Sequence, residues 1–254
     1  MIKILSALLI VLSLQSSLYA GYVIKTKEVY EGVESFSIIY VQDNKLRFND
    51  EETDVIIDFD RDKIIMILNN EGFYMEESIS GLEKKVIAFR DKLIEEMLQQ
   101  MPEDQREQAR ASYEQMMGST GEAYEGEVEV KSGGEKERIA GYMASRYEVY
   151  DDGENVESVW IADDLKVFDM KKVNEVFKTY VGMTTYEDTD AYMELMEKGM
   201  ILKSIDAYDG TLEEVVEVEK MDIPRSRFEA PDGLQKLNFE EFNSMMMNAG
   251  EEDY

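Results

Sequence analysis

The sequence of 254 residues contains no cysteine and no histidine. Without these side chains the protein has no thiol nucleophile, no Ser-His-Asp triad and no zinc site of the usual nitrogen and sulfur ligands. Neither a G-x-x-x-x-G-K-S/T loop nor a G-x-G-x-x-G loop for binding phosphate occurs. We therefore predict a protein that is not an enzyme and that carries no cofactor and no metal ion.

Basic residues are scarce, with 27 Lys and Arg against 56 Asp and Glu and a net charge of −29 at pH 7. Such a surface repels phosphate backbones and anionic bilayers, which excludes nucleic acid as a partner. The simplest reason for the excess is solubility. Because acids are so abundant, no pair stands out as that of a hydrolase, which would need two carboxylates with shifted pKa values in one cleft.

The first 20 residues have the layout of a secretory signal peptide. Lys3 provides the positive start, residues 4–14 form a short apolar core, and the stretch ends on the small residue Ala20. An apolar run of this length falls short of the about 20 residues that a membrane span needs. No cysteine follows for lipid attachment. We predict cleavage after Ala20 and a periplasmic or secreted protein that does not span the membrane.

Residues 22–78 are predicted to form an antiparallel β-meander, because short β-branched and aromatic runs alternate with turns of Asn, Asp and Gly. The run "KIIMIL", residues 63–68, is apolar on both faces, with Ile64, Met66 and Leu68 on one side and two isoleucines on the other. Both faces of this strand therefore need a covering layer.

Helices are predicted at four places, one of which begins at Pro102, stops at Gly118 and is far more polar than the others. A capping box at Ser80 and Glu83 precedes an apolar stripe from Leu82 to Met97 at steps of three and four. Amphipathic segments follow near 165–181 and 191–198. Strands separate these helices without a strict βαβ order, which indicates an α+β domain with an antiparallel sheet. We predict one domain over residues 21–237 and an acidic, Met-rich tail over 238–254 that is a frayed terminus, with a short partner-binding helix around Met245, Met246 and Met247 as the alternative.

The stretch "RIAGYMASRYEVYDDGENVESVWIADD", residues 138–164, predicts two strands around the turn "DDGEN". Gly141 is interpreted as a bend in the first strand, where the sheet curves. Tyr142, Tyr147 and Trp160, the only tryptophan, are interpreted as packing anchors, because alternating aromatic side chains usually belong to a core.

This stretch resembles an exported bacterial domain of unknown function, family 4412. The pieces "IIDFDRDKIIMIL", "MPEDQREQARASYEQMMG" and "IPRSRFEAPDG" agree with the resemblance, in the expected order. It implies the lipoprotein-carrier (LolA/LolB-like) fold: a strongly curved antiparallel β-sheet, an unclosed half-barrel, covered on its concave face by amphipathic helices. Members of that superfamily bind acyl chains or lipoproteins in the concave face. The resemblance implies no catalytic residues.

Two other features of the sequence, an aspartate motif and the many methionines, suggest further kinds of binding site. Asp58, Asp60 and Asp62 have the spacing that opens a calcium loop, but Lys63 stands where glycine is required and Asn69 where glutamate is required. We therefore predict no calcium site. The 17 methionines are interpreted as adaptable packing residues, with a lid over a cavity as the alternative for those in helices, such as Met193 and Met196.

The leading hypothesis is a carrier-like protein that binds a lipid, an acyl chain or a lipidated peptide or protein between sheet and helices. The alternative is an envelope interaction or sensor module with the same fold and a filled core. A carboxylate-dependent hydrolase is the third class. The candidate lining residues of the ligand site are the apolar side chains Phe36, Ile38, Tyr40, Val55, Ile57, Phe59, Ile64, Met66, Leu68, Phe89, Leu93 and Met97.

Overall fold

The computed structural model of the protein describes residues 21–116, 124–181 and 185–249. The predicted signal peptide lies outside the described residues. Within them, one sheet contains the strands β1 (Gly21–Tyr30), β2 (Val33–Gln42), β3 (Lys45–Asn49), β4 (Thr53–Asp58), β5 (Lys63–Leu68), β6 (Phe73–Ser78), β7 (Val128–Ile139), β8 (Tyr142–Asp151), β9 (Glu154–Ala162), β10 (Met200–Asp206), β11 (Leu212–Met221) and β12 (Gln235–Leu237).

The strand order is β12-β6-β5-β4-β3-β2-β1-β11-β10-β9-β8-β7, and only the pair β12–β6 is parallel. The predicted meander is confirmed, because β1 to β6 pair in chain order. Its first strand also pairs with β11, so that Gly21 lies opposite Met221. The pair β1–β11 therefore joins the meander to the five strands of the second half, and the end strands β12 and β7 leave the sheet unclosed.

Five α-helices accompany the sheet in the described ranges: α1 (Ile79–Gln99), α2 (Arg106–Met116), α3 (Met170–Val181), α4 (Asp190–Met196) and α5 (Phe239–Ala249). The predicted fold class, α+β with an unclosed curved sheet, is confirmed. Among the described helices, none is both long enough and apolar enough to cross a membrane.

Buried side chains form three clusters. The main core includes Ile57, Ile64, Met66, Met75, Leu82 and Phe242. The outer cluster consists of Ile56, Ile65, Ile67, Ile223 and Phe228. The α4 cluster consists of Val149, Val159, Ile161, Tyr192 and Leu195.

Strand β5 is covered on both faces, as its apolar run predicts. Ile64 and Met66 lie in the main core, whereas Ile65 and Ile67 lie in the outer cluster. The cover on the outer side comes from the segment after β11, through Ile223 and Phe228. A strand between two layers has no solvent-facing side, which explains its lack of alternation.

Two local predictions are wrong. The first is the capping box: helix α1 begins at Ile79 without one, because the Ser80 side chain and backbone N–H both donate to the Asp62 carboxylate.

The second is the bend predicted at Gly141, which does not lie within a strand. Ala140 and Gly141 have positive φ angles of 47° and 91° and form the two-residue turn between β7 and β8. Such turns require this backbone conformation at both positions, which glycine adopts without strain.

The domain boundary that the sequence suggests at residue 237 has to be extended. The supposed tail forms helix α5, in which Phe239 and Phe242 are buried in the main core and Met245 and Met246 pack against it. One face of α5 therefore belongs to the same core as the strands, whereas residues 250–254 lie outside the described ranges.

Candidate functional site

A cavity of about 610 Å³ lies between the main core and the α4 cluster. Its apolar wall is drawn from distant parts of the chain. Ile39 and Phe48 belong to the meander, Leu165 and Phe168 precede helix α3, and Val215 lies on β11. Members of both clusters therefore face a common space, which neither cluster fills.

The segment before helix α3 forms one side of the cavity. The sequence predicts a helix from about residue 165, but α3 begins at Met170, where the Asp169 carboxylate accepts a hydrogen bond from the Lys172 N–H at 3.3 Å. Leu165 instead bonds through its backbone to Ala162 at 3.1 Å and to Met200 at 2.9 Å. These bonds hold the non-helical segment against strands β9 and β10 and leave its side chains at the cavity.

The opposite part of the lining is acidic. Glu157 on β9 is only 8% exposed and accepts a hydrogen bond from the Tyr192 hydroxyl at 3.1 Å. The strand register places Asp206 beside Glu157 and Glu213 beside Ser204, and all four line the cavity. Glu187 and Glu213 are solvent-exposed, so the acidic side also opens to solvent. In the part of the chain that the structure describes, no such acidic group has the arrangement of a metal site.

The pKa of Glu157 is raised to about 7, mainly by burial; the Tyr192 hydrogen bond lowers this pKa, and the charges of Glu187, Glu213 and Asp206 raise it. Glu187 and Glu213 keep contact with solvent, but the protein around them removes part of their hydration, and this partial desolvation raises their pKa values as well. Burial and then the Glu157 charge raise the pKa values of Tyr186 and Tyr192. When the cavity holds no ligand, negative charge on this part of its wall is therefore energetically unfavourable.

This cost predicts a pH-dependent stability that depends on Glu157. The pKa of this side chain rises on folding from 4.5 to about 7, so the folded state binds more protons between these values. The contribution of Glu157 to the free energy of unfolding is fully present below pH 4.5. It falls by up to about 3 kcal/mol as the pH rises through 7. We expect Glu157→Gln to unfold at higher urea concentration than the unmodified protein at about pH 8, and at a similar concentration near pH 4.5.

Glu154→Gln is the matched control, because Glu154 is exposed at the start of the same strand. It should keep the pH profile of the unmodified protein. If Glu157→Gln also keeps that profile, the Glu157 carboxylate does not carry an uncompensated charge in the folded state.

None of the twelve predicted lining residues lines this cavity. Ile57, Ile64 and Met66 are buried in the main core, and Val55, Phe59, Leu68 and Phe89 pack against it. Leu93 and Met97 are half-buried, while their helix buries the adjacent Ile94 and Leu98 instead. These side chains therefore serve packing in this structure, and their role toward a ligand stays a prediction.

Phe36, Ile38 and Tyr40 lie on the other face of the sheet from Val55. Tyr40 is opposite Arg47, which is opposite Ile56 of the outer cluster, whereas Ile39, Phe48 and Val55 follow one another on the inner face. Phe36 is 42% exposed. The predicted alternation along β2 has the right period but the wrong face toward the core, because β2 has apolar residues in both registers.

Comparison with known proteins identifies the family of the chain but not its function. Residues 63–234 match the family model described as a domain of unknown function, DUF4412. No curated protein matches the sequence.

Several solved structures are similar to the chain at low identity. One is PNGF-II, with 10% identity and a TM-score of 0.42 over 91% of this chain and 33% of PNGF-II. The complex of MucB with MucA(peri) has 11% identity and a TM-score of 0.35 over 91% of this chain and 61% of the other. The Pseudomonas aeruginosa MucA/MucB complex has 11% identity and a TM-score of 0.35 over 87% and 58%. The chain thus spans a third of PNGF-II and about three-fifths of the MucB chains.

Proposed function

This chain belongs to the DUF4412 family, and we propose that it is an exported, non-enzymatic protein that holds an apolar ligand in the cavity between the main core and the α4 cluster. The ligand classes are a lipid, an acyl chain or a lipidated peptide. Export is supported by the signal-peptide pattern of residues 1–20. The observation that carries the binding function is the cavity itself.

The size and the lining of the cavity fit a small apolar ligand. Its volume of about 610 Å³ lies inside the range of about 300 to 1,000 Å³ that is usual for ligand sites. Met193, Met196 and Met200 contribute to the lining. Unbranched thioether side chains adapt to ligands of different shape, which suits a carrier better than an enzyme with one substrate.

The same space argues against the interaction module with a filled core. Protein interiors are normally close-packed, and the apolar wall of a space of this size stays in contact with water unless a ligand covers it. A module that used only its outer surface would gain nothing from this space.

One observation favours a second function, hydrolysis. A carboxyl group with a pKa of about 7 in a cleft, such as Glu157, is suited to act as a general acid. Glu213 or Glu187 would have to act as its partner carboxylate. The hydroxyl of Tyr192 already donates to Glu157, which is a structural use of the carboxylate. We therefore place binding ahead of hydrolysis.

Native mass spectrometry of the freshly purified protein tests both functions. We expect a retained ligand as a discrete added mass that stays constant on incubation. A ligand mass that changes with time would instead support hydrolysis.

A variant that fills the cavity should reduce binding. Met200→Trp adds bulk to the lining from strand β10, and we expect it to lower affinity for a single-chain amphiphile such as dodecanol by about tenfold or more. Met143→Trp is the matched control, since Met143 is a 45% exposed strand residue outside the lining. Isothermal titration calorimetry measures both. Equal affinities in the two variants would place the ligand elsewhere.

A further inference from the structure

The polar groups of the cavity form a compact set at one end of its lining. Glu157 is buried, and the rings of Tyr186 and Tyr192 also line the cavity and meet edge to face, with centroids 5.7 Å apart. The two rings come from different elements, the turn of residues 186–188 and helix α4, which both pack on the strand that carries Glu157. The cavity thus offers one carboxylate and two aromatic rings together.

The charge of this carboxylate is not balanced within the protein. Glu157 takes part in no ion pair among the residues that the structure describes, and the hydroxyls that it faces, those of Tyr192 at 3.1 Å and of Tyr186, are uncharged. Three lysines line the cavity: Lys203 pairs with Glu137 at 3.2 Å, Lys166 donates to the Glu197 carbonyl at 3.0 Å, and Lys171 is exposed in the first turn of helix α3. The neighbouring carboxylates Asp206, Glu187 and Glu213 add negative charge.

A buried charge without a counter-charge is costly, and a bound cation would remove that cost. Aromatic faces attract cations in addition, and acid-and-aromatic sites are the usual means of recognising ammonium groups. A ligand that ends in a carboxylate or a phosphate would instead add negative charge to this end. The cavity therefore selects on charge as well as on hydrophobicity.

We infer that the ligand is a cationic amphiphile, an ammonium group on an apolar body, with the ammonium at the end of the cavity that Glu157, Tyr186 and Tyr192 line. The apolar body extends along Ile39, Phe48 and Val215. This inference rests on the proposed function, because it names the chemical class of the ligand that the same cavity holds. It excludes fatty acids as the preferred ligand.

Four single-chain probes of equal length test the inference: dodecylamine, dodecyltrimethylammonium, dodecanol and dodecanoate. They are titrated into delipidated protein by calorimetry below the concentrations at which they form micelles. We expect at least one of the two ammonium probes to bind about tenfold or more tightly than dodecanol, and dodecanoate to bind least. Added salt should weaken the ammonium preference less than it would at an exposed site, because the pair is buried.

Two variants assign the preference to the carboxylate. Glu157→Gln should bring the affinity for the ammonium probes down to that for dodecanol while dodecanol binding is kept, and Glu154→Gln, on the exposed start of β9, should leave both unchanged. Thermal melting confirms that each variant is folded. Glu213→Gln, at an exposed lining position, is the second variant, and a reduced ammonium preference is expected for it too.

Each result has one meaning. Equal binding of both ammonium probes and the alcohol, or an ammonium preference that survives in the Glu157→Gln variant, overturns the inference and leaves the proposed function intact. Absence of binding by all four probes overturns the proposed function and the inference together.

Discussion

Asp54→Ala is expected to destabilise the protein by about 3 to 5 kcal/mol, because it breaks a buried ion pair and leaves Arg47 uncompensated. Asp54 is 2% exposed and Arg47 is 8% exposed. The Arg47 guanidinium bonds to both carboxylate oxygens, and Asn49 donates to the same carboxylate at 2.6 Å. Urea unfolding followed by circular dichroism measures the loss.

The pair also connects two layers of the fold, which makes its loss more severe. A third bond runs from the Arg47 guanidinium to the Arg227 carbonyl at 3.0 Å, in the segment that covers the outer cluster. An unpaired Arg47 would face this apolar layer, and water would have to enter or the segment would have to lift. We therefore expect the slope of the unfolding curve to decrease as well, if the segment detaches.

Two further variants separate the free-energy cost of a buried, uncompensated charge from the loss of the ion-pair interaction itself. The double variant Asp54→Leu/Arg47→Met should recover most of the stability, because an apolar pair of similar volume requires no counter-charge. Glu129→Ala removes an exposed partner, paired with Lys131 at 2.8 Å, and should cost less than about 1 kcal/mol. Equal losses for Asp54→Ala and Glu129→Ala would contradict the buried ion pair.

Phe242→Ala in helix α5 is the second variant with a large expected effect, a loss of about 3 to 5 kcal/mol. Phe242 is fully buried in the main core. The preceding Phe239 makes edge-to-face contacts with Phe89 of helix α1 at 5.9 Å and with Tyr180 of helix α3 at 6.4 Å. Removing the Phe242 ring leaves a cavity in the main core, which the close-packed side chains around it fill only in part. Urea unfolding measures the loss.

Met247→Ala on the same helix provides the control, since Met247 is 51% exposed. Its expected effect is within about 0.5 kcal/mol. If Phe242→Ala costs no more than this, helix α5 does not dock on the core and the domain ends near residue 237, where the sequence alone suggested.

Much of the local structure could be predicted from the sequence because short-range patterns determine it. Alternating runs and Asn, Asp and Gly turns identified the strands of the meander, and the apolar run of β5 indicated a cover on both faces. The sequence predicts the structure wrongly where one local pattern is compatible with two structures. Gly141 suits a bend and a hairpin turn equally, and β2 has apolar residues in both registers, so Phe36 and Tyr40 were assigned to the wrong face.

The candidate site could not be predicted, because its parts are distant in the chain. Ile39 and Phe48 meet Glu157 and Val215 at the cavity only because β1 pairs with β11. No local pattern identifies such a partner strand. One signal was present and unused: Glu157 stands within the strand "NVESVWIA", where a lone acid among apolar residues needs a partner or a function.

The sequence by itself determined the net charge, the absence of histidine and cysteine chemistry, the signal-peptide pattern and most strands and helices, since these depend on composition or on neighbours within a few residues. Only the tertiary structure decided that helix α5 belongs to the core, that the cavity lies beside α4, and that Glu157 faces it without a counter-charge. Burial, pKa and unfilled volume depend on which distant segments pack together, and periodicity along one segment contains no information on that choice.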